Sequence, residues 1–153
     1  MQALTFDPNR DRFTLKKQPL PTPGPTEVQL KVVACGLNPV DSKIREWKSL
    51  APDMDDNWVP GLDVSGVITE LGEEVEQWKV GDRILYHGDM LKPHGGFSEY
   101  AVHNAQTLLP HPNIDPIKAA ATPCAGWTAW RALMDKLKID ACDSLLIAGG
   151  SGG

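Results

Sequence analysis

Glu27-Val-Gln-Leu-Lys-Val-Val33 decides the fold class. Val28, Leu30 and Val32 alternate with Gln29 and Lys31, and a period of two puts the apolar set on one face of a half-buried β-strand. The strand is fed by Pro19-Leu-Pro-Thr-Pro-Gly-Pro25, a stiff extended connector in which proline leaves no room for helix. Further short apolar segments follow, separated by glycine and proline. One lies within Gly61-Leu-Asp-Val-Ser-Gly-Val-Ile-Thr-Glu70, another is Asp82-Arg-Ile-Leu-Tyr86, and a third is Gly96-Phe-Ser-Glu-Tyr-Ala-Val102. Short strands at this spacing predict an all-β barrel or sandwich.

The texture changes near Pro112. Asp115-Pro116 is a good N-cap and first-turn pair, opening a helix at Ile117-Lys-Ala-Ala-Ala121. Thr122-Pro123 interrupts it, and a second helix is predicted from about Ala125 to Leu137. There Trp127, Trp130, Met134 and Leu137 recur at helical spacing and should face a core. Lys136 and Lys138 suit the negative end of that helix. The chain closes on Ser144-Leu-Leu-Ile-Ala-Gly-Gly-Ser-Gly-Gly153, which reads as a buried strand (Leu145, Leu146, Ile147) entering a glycine loop. Gly150-Ser151-Gly152-Gly153 supplies the front half of G-x-G-x-x-G, the turn on which a dinucleotide pyrophosphate rests. The other reading of this stretch is a flexible glycine tail. Two parts are therefore expected: a β-rich unit over residues 1–112, and a helical connection with the start of a nucleotide domain over residues 113–153.

At 153 residues the chain is long enough for a core of normal size, and its formal charge of −5 provides no basic field for nucleic acid or anionic lipid. No apolar run approaches the ~18 residues that span a bilayer. Met1-Gln-Ala-Leu-Thr-Phe lacks the basic and apolar regions of a secretory signal. The three cysteines, Cys35, Cys124 and Cys142, are far apart and odd in number. That argues against a disulfide framework and for a reducing, cytoplasmic setting. Nucleic-acid and membrane partners are not expected.

Several short stretches have plain structural readings when taken singly. Asn38-Pro-Val-Asp41 makes a turn, Gly61-Leu-Asp-Val-Ser-Gly66 a bend, and Gly95-Gly96-Phe-Ser-Glu-Tyr100 a hairpin entry. Leu71-Gly-Glu-Glu-Val-Glu-Gln-Trp-Lys-Val-Gly-Asp-Arg-Ile84 reads as an acidic loop closing on a strand. In this order, with Ala119-Ala-Ala leading to Thr128-Ala-Trp130 and with the terminal glycines, they resemble the medium-chain dehydrogenase/reductase superfamily. The branch they resemble is the zinc-free, quinone oxidoreductase-like one. The resemblance implies a mainly β fold: a GroES-like β-barrel with a few helices, then the first strand of a truncated Rossmann α/β domain.

Zinc-dependent relatives use a Cys, a His and a second Cys. By motif these positions fall on Asn38, Leu62 and Cys124, and one thiol with an amide and a leucine cannot make a tetrahedral site. No close cysteine group lies between Gly81 and Pro110 to hold a structural metal. His87, His94, His103 and His111 have no metal spacing and are assigned surface or loop roles. No metal is expected. Without a Lewis acid, alcohol oxidation is disfavoured. The resemblance then implies hydride delivery from NADPH, or NADH, to a quinone or an α,β-unsaturated carbonyl. Asn38 is the implied catalytic residue. Asn38, Lys43 (where relatives often carry Tyr), Thr128, Gly149, Gly150, Gly152 and Gly153 are the implied cofactor contacts. Asp41 and Asp63 are read as structural partners inside the barrel, and Cys124 as a small residue at a helix start. The full-length parent is expected to be an enzyme and a homo-oligomer, and the chain as it stands to be inactive. Two alternatives stay open: a 2-enoyl-thioester reductase of the same superfamily, and a non-catalytic GroES-like interaction module.

Overall fold

The computed structural model describes residues 1–141 and 143–150. The alternating stretch forms β3, Glu27–Gly36, the spine of a five-stranded antiparallel sheet. The other strands are β4 (Asp63–Leu71), β5 (Arg83–His87), β6 (Tyr100–Asn104) and β7 (Leu109–Pro110), in the order β6-β3-β4-β5-β7. Register shifts at Gln29/Leu30 and Val32/Ala34 bend β3 along β4, as bulges do. Val28, Leu30, Val64, Ile68, Ile84, Tyr86 and Ala101 pack on the inner face of this sheet.

A second, two-stranded sheet, β1 (Gln2–Asp7) with β2 (Arg12–Lys17), was not anticipated from the sequence. The Asp7 carboxylate accepts the Asn9 and Arg10 amides at 2.9 and 3.1 Å, and Asp11 takes a left-handed φ of 51° to close the turn. Phe97–Glu99, expected within a strand starting at Gly96, instead forms the seam between the sheets. Leu4 N donates to Phe97 O at 2.8 Å, Glu99 N to Gln2 O at 3.1 Å and Val32 N to Glu99 O at 2.9 Å. Under this seam a second core gathers Phe6, Trp47, Met54, Trp58 and Leu62 with Ile44 from α1 (Ile44–Trp47).

Asp115 caps α2 (Pro116–Ala120) as expected, accepting the Ile117 and Lys118 amides. A Cβ on Gly36 would lie 2.3 Å from the Ala120 carbonyl, so only glycine lets α2 lie this close on β3. After the expected break at Thr122-Pro123, α3 runs Pro123–Trp130 and continues as a wider π-helical turn, Arg131–Leu137. Its aromatic stripe does not face a core, which corrects the reading from helical spacing. Trp127, Trp130, Met134 and Leu137 are all exposed, Trp130 at 63%. The face turned to the neighbouring cleft carries small residues: Cys124, Ala125, Thr128, Ala129 and Ala132.

The expected strand at Leu145–Ile147 is also corrected. These residues are irregular and exposed, and Ala148–Gly150 is a turn. A buried parallel strand needs hydrogen-bonded neighbours, and among the described residues none lies beside it.

Candidate functional site

The site begins where β3 ends. Pro39 fixes the backbone entering a 3₁₀ turn, Pro39–Lys43, and leaves Asn38 extended at φ −122°. Asn38 N donates to Asp41 Oδ2 at 2.8 Å, and Asp41 N donates back to Asn38 O at 3.0 Å. The Asn38 side chain donates through Nδ2 to Asp63 Oδ2 at 2.9 Å. Cys124 N, in the first turn of α3, donates to the same oxygen at 3.0 Å. The other Asp63 oxygen lies 2.6 Å from His87 Nδ1. Asp63 itself is fully buried.

Above this network lies an open cleft of about 590 Å³. One wall is Asn38, Pro39, Val40 and Lys43. The other is the small-residue face of α3 and its extension, with Cys124, Thr128 and Ala132. Asn38, Lys43 and Thr128, separate in sequence, therefore line one cavity of the size that takes a small ligand. Gly149 and Gly150 do not line it, although Gly149 takes the positive φ of 70° that a tight glycine turn uses. Gly152 and Gly153 lie outside the described residues.

His87, assigned a surface or loop role from the sequence, is instead a half-buried strand residue. It ends β5 directly opposite Asp63 in the β4–β5 register, and Trp127 meets its ring edge-on with centroids 6.3 Å apart. The hydrogen bond to Asp63 raises the His87 pKa above its ordinary 6.5, against the opposing pull of burial, and the Asp63 and Asp41 charges add to the rise. Burial is the first cause that raises the Asp41 pKa, with the Asp63 charge reinforcing it. Burial also pushes the Cys35 thiol far up and the Cys124 thiol up, with Asp41 and Asp63 adding to both. Neither thiol is thereby primed as a nucleophile.

A histidine whose folded pKa is raised contributes stability that is complete below its unfolded pKa and is lost as pH rises through the folded one. Chain stability is therefore expected to decline as pH rises above about 6.5, and His87→Gln should flatten that decline. Urea midpoints across this window provide the check. An equal slope in both proteins would mean that the pair is not the titrating element.

At the metal positions of zinc relatives, Asn38 offers an amide already bonded to Asp63, and Leu62 is buried in the second core. Among the described residues no three His, Cys, Asp or Glu side chains converge as a ligand set. The donor chemistry at Asn38 and Leu62 does not fit a zinc ion. The cleft offers the Asn38 amide, the Thr128 hydroxyl and the Lys43 ammonium group beside the apolar Val40, Ala125, Ala129 and Ala132.

A curled antiparallel sheet with a cleft between its β3 end and a following helix defines a class, and the comparisons agree. Residues 24–113 match the alcohol dehydrogenase GroES-like domain, and the chain belongs to that family. Within it, the chain is a quinone oxidoreductase-like member of the medium-chain dehydrogenase/reductase superfamily. It is 39% identical over 136 residues to the quinone oxidoreductase of Lama guanicoe, an alignment covering 88% of this chain and 40% of that protein. It is 38% identical over 135 residues to the 2-methylene-furan-3-one reductase of Solanum lycopersicum, covering 83% of this chain and 34% of that one. The solved quinone oxidoreductase of Coxiella burnetii superposes with a TM-score of 0.79 at 28% identity, over 94% of this chain and 47% of that one. The chain thus spans about 40% of the length of the curated quinone oxidoreductases it matches.

Proposed function

We propose that this chain is the N-terminal catalytic-domain portion of a zinc-free, NADPH-dependent reductase that delivers hydride to a quinone or an α,β-unsaturated carbonyl. The observation that carries this reading is the convergence of Asn38, Lys43 and Thr128 on one cleft, with Asn38 and Leu62 where a metal-using relative needs ligands. Similarity to a quinone oxidoreductase and to a 2-methylene-furan-3-one reductase supports an electron-poor acceptor. The nicotinamide would supply the hydride. The protein's part is to orient and to exclude water. Asn38, with one side-chain N–H committed to Asp63, keeps its side-chain carbonyl oxygen to accept a bond from a carboxamide. Thr128 adds a hydroxyl and Lys43 a cation, while Val40, Ala125, Ala129 and Ala132 form the apolar walls.

The same proposal divides the chain at 112/113, assigns the terminal glycines to the pyrophosphate turn, and places the full-length protein in the cytoplasm as a homo-oligomer. The test is NADPH oxidation by the full-length parent with a quinone, an enone and a saturated ketone. Turnover is expected with the first two. Asn38→Ala should lower kcat about tenfold, the value of one lost hydrogen bond, and should also lower the melting temperature, because the buried Asp63 carboxylate loses one of its partners. Equal kinetics in the variant would reduce Asn38 to a turn residue, and oxidation by none of the three acceptors would defeat the reading.

A further inference from the structure

We propose that Asp63 is the positioning residue of the cleft: one buried carboxylate that fixes both walls at once. Asp63 Oδ2 accepts Asn38 Nδ2 at 2.9 Å from the β3 side and Cys124 N at 3.0 Å from the α3 side. Thr128 stands one helical turn after Cys124, so the oxygen that orients Asn38 also sets the start of the helix that presents Thr128. The residue at the N-cap of α3, Thr122, makes no capping bond with its side chain. The first-turn amide of Cys124 is met from outside the helix, by a residue 61 positions earlier.

The remaining oxygen is held by His87 at 2.6 Å, which stops the carboxylate from rotating. The backbone of Asn38 is held separately by Asp41, 2.8 Å from its amide. Asn38 is thus constrained twice, at the main chain by Asp41 and at the side chain by Asp63. Only the second constraint also reaches the opposite wall. The charged and titratable groups around Asp63 are His87, Asp41 and the thiols of Cys35 and Cys124. One Asp63 oxygen accepts two bonds while the other faces a histidine. What the fixed walls receive rests on the nicotinamide reading above; the fixing itself does not.

The experiment is nuclear magnetic resonance on the isotopically labelled chain, with Asp63→Ala and Asp63→Asn and with nicotinamide mononucleotide as probe. In the unsubstituted chain, the Asn38 side-chain amide and the Cys124 backbone amide should both be protected from solvent exchange. Asp63→Ala should raise both exchange rates together, by about tenfold or more. Asp63→Asn keeps an oxygen able to accept both bonds and should restore protection, while the His87 pKa falls because its negative partner is gone. The probe should shift Asn38 and Thr128, and its affinity should drop about tenfold in Asp63→Ala and recover in Asp63→Asn. An Asn38 side-chain amide that exchanges freely in the unsubstituted chain overturns the proposal, whether or not the alanine variant folds. Rates that change independently at Asn38 and Cys124 overturn it too, as does an unchanged probe affinity once both protections are lost. Joint protection and joint loss with no probe binding in any protein would support the clamp while removing the nicotinamide reading.

Discussion

Trp47→Ala is expected to lower the unfolding free energy by about 3–5 kcal/mol, the usual cost of removing a buried tryptophan. Trp47 is 3% exposed and sits among Phe6, Ile44, Ala51, Met54, Trp58 and Leu62. These residues come from β1, from α1 and the loop after it, and from the approach to β4, so the ring is the common filler of a core made by separate segments. Its backbone carbonyl also accepts the Leu50 and Ala51 amides at 2.8 Å, which lets the chain turn without leaving the core. A loss of this size is a large share of the about 5–15 kcal/mol that holds an ordinary domain folded. Urea denaturation should give a lower midpoint with an unchanged slope. Because Val40 packs on this core and also lines the cleft, the Pro39–Lys43 wall should loosen as well. A loss below about 1 kcal/mol would mean that the surrounding side chains collapse into the space the ring leaves.

What the sequence made legible follows from how local each signal is. The β3 spine could be read because alternation over Val28, Leu30 and Val32 depends only on neighbours along the chain, and the same holds for the Asp115-Pro116 helix start. The β1–β2 hairpin carries a comparable pattern, with Leu4 and Phe6 paired to Leu15 and Phe13 across an Asp- and Asn-rich turn. It was missed because no residue of β2 is buried and its Leu15 is exposed, so the strand shows no buried apolar face of its own. Asn38, Lys43 and Thr128 were singled out by family resemblance rather than spacing, since only the fold brings β3's end and α3 together. The Asp63–His87 pair was hidden in register. Antiparallel alignment of the Gly61–Glu70 and Asp82–Tyr86 stretches, extended by one residue, sets them opposite each other. The aromatic stripe of α3 and the Leu145–Ile147 run misled for one reason: apolar periodicity marks a face able to be buried, and burial also needs something to cover it.

That uncovered face leads to the second large effect. Trp130 and Leu137 are two helical turns apart and both more than 60% exposed, with Met134 between them. Leu145, Leu146 and Ile147 add a second exposed apolar run, Leu146 at 94%. Contiguous apolar surface of this kind is rarely left open on a monomer, and its burial against another molecule contributes about 25 cal/mol per Å². The chain as given is therefore expected to self-associate as its concentration rises, and the doubly substituted Trp130→Glu, Leu137→Glu chain to stay monomeric. The substitutions should leave the cleft intact, because Cys124, Thr128 and Ala132 occupy a different stripe of the same helical segment. Light scattering with sedimentation velocity on both proteins reads the difference. Added salt should strengthen the association of the unsubstituted chain if burial of apolar surface drives it, whereas charge pairing would weaken under the same salt. If both proteins remain equally monomeric at every concentration, the exposed stripe is not a surface of association.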